Sequence, residues 1–237
     1  MSYDFNKLKP EYSQLWVNCK INPGKAKQFQ NAADLIRRGE VTYKDLESKT
    51  GVPWYLIGML HYRESDCNFH THLHNGDSLN ARTIHVPRGR PTTGQPPFTF
   101  EFSAIDALRY EDFDRIHDWN IEHVLYCMEQ YNGWGYRQRG YPSAYVWAGT
   151  NNYQHGKFVS DGVFSAYVID TQLGCAGIFK TLLIGDTTDI NTESENTDKK
   201  SHKAGQSSST VNELPQTSRK WNISTWLHWI FGGSATV

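Results

Sequence analysis

The sequence predicts an α+β fold that is mostly helical, with one small β-hairpin. Three observations predict it. Several segments place apolar residues at helical spacing; two alternating segments flank an Asn75-Gly76-Asp77 turn; and the composition changes sharply near Ile184. Residues 1–184 carry apolar and aromatic side chains throughout and read as one folded domain. Residues 185–220 are Thr, Ser, Asn, Asp, Glu and Lys with almost no core-forming residue, the signature of a disordered polar linker. Residues 221–237 open on an aromatic segment that reads as an amphipathic tail.

The elements follow in order. Ala26, Phe29, Ala33 and Ile36 predict a helix over 25–38 that ends at Gly39. Thr42 reads as the N-cap of a helix through Leu46 to Lys49, closed by Gly51. Pro53 suits the first turn of a helix carrying Leu56, Ile57, Leu60 and Glu64. Segments 69–73 and 81–86 alternate like strands around the Asn-Gly-Asp turn. An irregular, proline-rich loop follows over 87–97, then helices over 102–110 and 118–131, the second capped by Asp118. Residues 132–162 are turn-rich and aromatic, and 166–184 predict a closing helix with Gly174, Ala176 and Gly177 for close packing.

Composition excludes some functions. A net charge of −1 lacks the clustered Lys and Arg that phosphate contacts need, so nucleic acid is not an expected partner. A helix-turn-helix reading of 42–60 fails for the same reason: Trp54 to Leu60 offers no Arg, Lys, Asn or Gln to read a base. The N-terminus has no apolar signal stretch, so the expectation is accumulation in the cytoplasm of the producing cell. Cys19, Cys67, Cys127 and Cys175 lack paired metal spacing and are expected as free thiols.

The chemistry gathers at Glu64. An apolar helix runs out there and a polar segment follows, so one flank of the acid is dry and the other wet. Such surroundings raise a carboxyl pKa and make a general acid. The turn then supplies Asp77 as a candidate second carboxylate and Thr83 as a hydroxyl to hold water beside it. Tyr131, Asn132, Tyr136 and Tyr145 belong to an aromatic stretch expected to contact sugar rings, with Asp161 as a reserve carboxylate.

These residues resemble a known pattern. The chain is similar to the lysozyme-like superfamily, near phage endolysins and muramidases. Glu64-Ser65 resembles the catalytic Glu-Ser of goose-type lysozymes and lytic transglycosylases, and Tyr131-Asn132-Gly133 resembles the Tyr-Asn-(Ala/Gly) motif placed opposite the acid. The spacing from Asp77 to Thr83 is similar to that of the phage-type Asp and Thr. The resemblance covers 52–174 and lacks the Gly-Leu-Met-Gln motif of transglycosylases, whose place is taken by the segment from His74 to Leu79.

The resemblance implies a lysozyme-like domain with its hairpin beside an active-site cleft. Glu64, Asp77 and Thr83 would be catalytic, and Ser65, His74, Tyr131, Asn132, Tyr136, Tyr145 and Asp161 would bind substrate. It implies cleavage of peptidoglycan between N-acetylmuramic acid and N-acetylglucosamine by a monomer that needs no cofactor. The C-terminal segment would supply any membrane-surface or wall contact. Two alternatives stand beside it: lytic transglycosylation to anhydro products, and a zinc-dependent amidase or peptidase using His61, His70, His72, His74 and His85.

Overall fold

The structure, a computed structural model, describes residues 3–160 and 162–184. The expected linker, the aromatic tail and Asp161 lie outside the described residues. The remainder is an α+β domain, mostly helical, with one two-stranded antiparallel sheet.

Helix α1 (Phe5–Asn18) starts at Asp4, whose side chain accepts from the Asn6 N–H, and buries Tyr12 and Trp16 one turn apart. The sequence reading passed over it, since only those two positions of the helix are fully buried. Helix α2 (Ala26–Arg38) turns Phe29, Ala32, Ala33 and Ile36 to the core, as its spacing predicts. Helix α3 (Glu40–Thr50) starts just beyond Gly39, before the expected Thr42 cap, and is closed by Gly51 at φ 74°.

Helix α4 (Trp54–Ser65) begins after Pro53 and buries an unbroken run from Leu56 to His61. A helix apolar all round must be covered on several sides, and α2, α3 and α6 pack against it. Contact with α2 depends on Gly58, where an added Cβ would stand 2.5 Å from Ile36. Helix α5 (Phe100–Tyr110) is capped by the Thr99 hydroxyl. Helix α6 (Ile121–Asn132) is capped by Asn120, whose side chain accepts from the His123 N–H, and not by Asp118.

Short helices α7 (Gly135–Gln138) and α8 (Ala144–Trp147) follow, then strands β1 (Lys157–Ser160) and β2 (Val163–Ser165). A final helix, α9, spans 175–184, shorter than the expected 166–184.

The sheet is not where the alternation placed it. Segments 69–73 and 81–86 form no strands; one bridge joins Thr71 to Ser78. The reason is where the backbone donors go. The N–H groups of Ile84 and His85 both donate to the Asp77 carboxylate instead of to a facing strand. The observed hairpin pairs Phe158 with Phe164, and the Asp-Gly step in the sequence between its strands is itself a strong hairpin signal.

No helix among the described residues is long and apolar enough to cross a membrane. All four cysteines are free and buried.

Candidate functional site

Glu64 sits in the last turn of α4, and the chain leaves the helix abruptly. Asp66 and Cys67 both take left-handed backbone conformations, at φ 50° and 58°. Such residues cost roughly 1–3 kcal/mol each and tend to gather where a side chain must be held in place. The following loop closes onto this end of the helix. At Gly76 an added Cβ would stand 2.6 Å from the Glu64 carbonyl oxygen, so the Asn75-Gly76-Asp77 turn lies directly on the acid's backbone.

Four side chains surround the Glu64 carboxyl. The Tyr145 hydroxyl, from α8, donates to Oε1 at 2.9 Å. Tyr131 from α6, Arg63 from α4 and Cys175 from α9 are near enough to feel its charge. Burial pushes the Glu64 carboxyl up to about 7, against the opposing pull of the Tyr145 hydrogen bond and the Arg63 charge. Although the residue keeps some solvent access, its carboxyl lies among protein groups. Burial likewise holds the Tyr131 and Tyr145 phenols well above their usual range, so both stay neutral donors.

Compared with family models, curated proteins and solved structures, the chain matches none. The site must speak through its own geometry.

Glu64, Tyr131 and Tyr145 are brought together as the sequence suggests. Tyr131 donates its hydroxyl to the Leu73 carbonyl at 2.7 Å, tying α6 to the loop after α4. Ser65 is spent inside its own helix, its hydroxyl 3.5 Å from the His61 carbonyl. Asn132 is exposed at the end of α6.

Asp77 holds its loop together. Its Oδ2 accepts from the N–H groups of Ile84 at 2.8 Å and His85 at 3.0 Å, and its Oδ1 meets the His85 ring at 2.7 Å. Burial pushes its carboxyl up, but the His85 and Ile84 hydrogen bonds outweigh that and hold it below its ordinary value. Asp77 is therefore ionised, with three of about four acceptor sites in use.

The expected catalytic Thr83 is only 2% exposed. Its hydroxyl donates to the Pro87 carbonyl and accepts from the Arg90 N–H, so both of its functions serve the loop.

The expected substrate contact His74 is also turned inward. Its Nε2 lies 2.9 Å from Asp106, which Arg90 grips through two nitrogens at 2.9 and 2.7 Å. His72 bonds Ser103 and the Ala81 carbonyl, which fixes a proton on its Nε2. These contacts pin the loop to α5. His72 and His74 share the Ser103 hydroxyl and His85 meets Asp77, and no three His, Cys, Asp or Glu among the described residues are grouped to hold a metal ion.

The expected aromatic wall faces the core. Tyr136 is 5% exposed and meets Phe158 and Phe164 edge-on. Tyr145 acts on Glu64 from beneath rather than as an open stacking face. Packing of the Tyr136 ring on Phe158 and Phe164 ties the small β-hairpin to the domain.

Arg63 and Cys175 were missed as neighbours of the acid. Arg63 is adjacent to it in sequence, but nothing in the pattern says that an arginine ending a helix turns inward. Two surface grooves, of about 450 Å³ beside Phe69, Asn80 and Phe98 and about 370 Å³ beside Tyr62, Asp66 and Gln172, are not lined by Glu64. Chemistry, not concavity, marks the site.

Proposed function

We propose that the chain is a peptidoglycan-cleaving glycosidase of lysozyme-like type, with Glu64 as its general acid. The observation that carries the reading is the setting of the Glu64 carboxyl, enclosed by protein groups and bonded by the Tyr145 hydroxyl: burial pushes it up to about 7, which lets it hold a proton near neutrality. Such a group can protonate the glycosidic oxygen as the C–O bond breaks. The Tyr145 hydroxyl fixes the carboxyl and would stabilise the carboxylate left behind.

Asp77 supports the hydrolytic form of the reaction. It is ionised, lies on the turn packed against Glu64, and keeps an acceptor site for water. Asp161 remains the reserve carboxylate. A second reading is transglycosylation, in which Glu64 returns as the base and the sugar's own hydroxyl attacks. The engagement of the Thr83 hydroxyl in its own loop favours it, because that hydroxyl is not free to hold an attacking water.

Mass spectrometry of muropeptides released from purified peptidoglycan tests both. Reducing-end muramic acid is the expected product of hydrolysis, and anhydromuramic acid that of transglycosylation. Reducing-end glucosamine or free stem peptide would sink the muramidase reading.

A further inference from the structure

Arg63 and Glu64 are consecutive on α4, and both side chains meet Tyr145. The Arg63 guanidinium lies 4.5 Å over the Tyr145 ring, while the hydroxyl of the same ring donates to Glu64. Only 6% of the Arg63 side chain is exposed, so protein groups must replace its water. They do so incompletely. Nη1 donates to the Leu173 carbonyl at 3.0 Å, Nη2 stands 3.5 Å from Asp170, and Nε has no partner.

Asp170 is equally buried, at 4% side-chain exposure, and also binds Lys157 at 2.8 Å. Its carboxylate accepts from the Gln172 N–H, and the Gln172 amide donates to the Arg63 carbonyl. Residues 170–173 therefore form a strap across the end of α4. A buried guanidinium with a spare donor, next to a buried carboxyl, would form a charge-assisted pair unless held elsewhere.

We propose that Asp170 is a positioning residue for Glu64: it draws Arg63 across the face of Tyr145 and so prevents an Arg63–Glu64 ion pair from replacing the Tyr145–Glu64 hydrogen bond. The groups facing Glu64 are Arg63 from α4, Tyr131 from α6, Tyr145 from α8 and Cys175 from α9. Glu111 lies beyond Tyr131, its own carboxyl raised by burial. The two phenols and the thiol are all held up by burial and neutral, which leaves Arg63 as the fixed charge of the four. The consequence for catalysis rests on the acid role proposed for Glu64, whereas the arrangement itself does not.

The test is the titration of Glu64 in the full chain, followed by carboxyl carbon NMR and assigned with Glu64→Gln. The wild-type midpoint is expected at about 7. In Asp170→Asn it should fall toward the ordinary value of 4.5, and the alkaline limb of any wall-lytic pH profile should fall with it. Asp170→Glu should restore the wild-type midpoint, and Arg63→Met/Asp170→Asn should return it to the wild-type value or above. An unchanged midpoint in folded Asp170→Asn overturns the proposal. Should Asp170→Asn not fold, Arg63→Met alone must raise the midpoint, and no rise also overturns it. A wild-type protein that titrates as expected but releases no muropeptides sinks the glycosidase reading and leaves this one standing.

Discussion

The Tyr145 hydroxyl donates to Oε1 of Glu64 at 2.9 Å, joining α8 to the end of α4 across 81 residues of chain. This contact sets the orientation of the acid while burial sets its protonation. The two effects can be separated by substitution.

Glu64→Gln keeps the shape of the side chain but cannot deliver a proton. Wall-lytic activity should fall by roughly 10²–10⁴-fold with the fold intact. Stability should change with pH in a defined sense. Because the folded carboxyl is raised to about 7 from 4.5, its contribution is fully present below pH 4.5 and is lost as pH rises through 7. Glu64→Gln should remove that loss, and at pH 8 it should be the more stable protein by up to about 3 kcal/mol. Urea unfolding of both proteins at pH 5 and pH 8 measures it, since the buried histidines titrate alike in the two; a stability difference between wild type and Glu64→Gln that is the same at both pH values would contradict a buried, raised carboxyl.

Tyr145→Phe removes the donor and leaves the ring. A hydrogen bond to a charged acceptor contributes about 1.5–3 kcal/mol, so the carboxylate form of Glu64 loses that support. The alkaline limb of the activity profile should move up, and the maximal rate should drop about tenfold or more. A rate and profile matching wild type would show that the contact has no part in the chemistry.

Gly76→Ala strikes the acid's backbone. The residue has φ 77°, and the added Cβ would meet the Glu64 carbonyl at 2.6 Å. Destabilisation of at least about 1 kcal/mol is expected, together with a loss of activity larger than that loss explains. Thermal unfolding and turnover measured on the same sample decide it.

The buried histidines make the fold sensitive to acid. Burial holds His61 down to about 4 and keeps His74 well below its ordinary value, with Asp106 pulling the other way on His74. Their stabilising contribution is present above about pH 6.5 and is lost as pH falls toward 4. Asp106→Ala would also leave Arg90 without its bidentate partner, at a cost of about 3 kcal/mol. Chemical denaturation between pH 7 and pH 4 should show the wild-type loss; a flat profile would mean these rings are solvated.

Much of the helical frame was legible because burial repeats along it. Phe29, Ala33 and Ile36 mark α2, and Leu56 to Leu60 mark α4 as a helix covered on several sides. Glu64 was legible too, since a carboxyl at the end of such a helix must have one dry flank. The hairpin was misplaced because the Asn-Gly-Asp signal is local. It could not reveal that Asp77 takes the N–H groups a second strand would need. His74 and Thr83 look polar and available in sequence, yet His74 is consumed by Asp106 on a later helix, and Thr83 by the Pro87 carbonyl and Arg90 N–H of an irregular loop whose path has no sequence pattern.

The sequence by itself determined helices α2 to α6, the mostly helical α+β class and the position of the acid. Each follows from periodicity or capping within one or two turns of chain. Only the tertiary structure decided which polar groups meet that acid. Tyr145 and Cys175 converge there from separate elements and Asp170 bears on it through Arg63, and whether a side chain completes a site or satisfies a loop depends on partners that local pattern cannot specify.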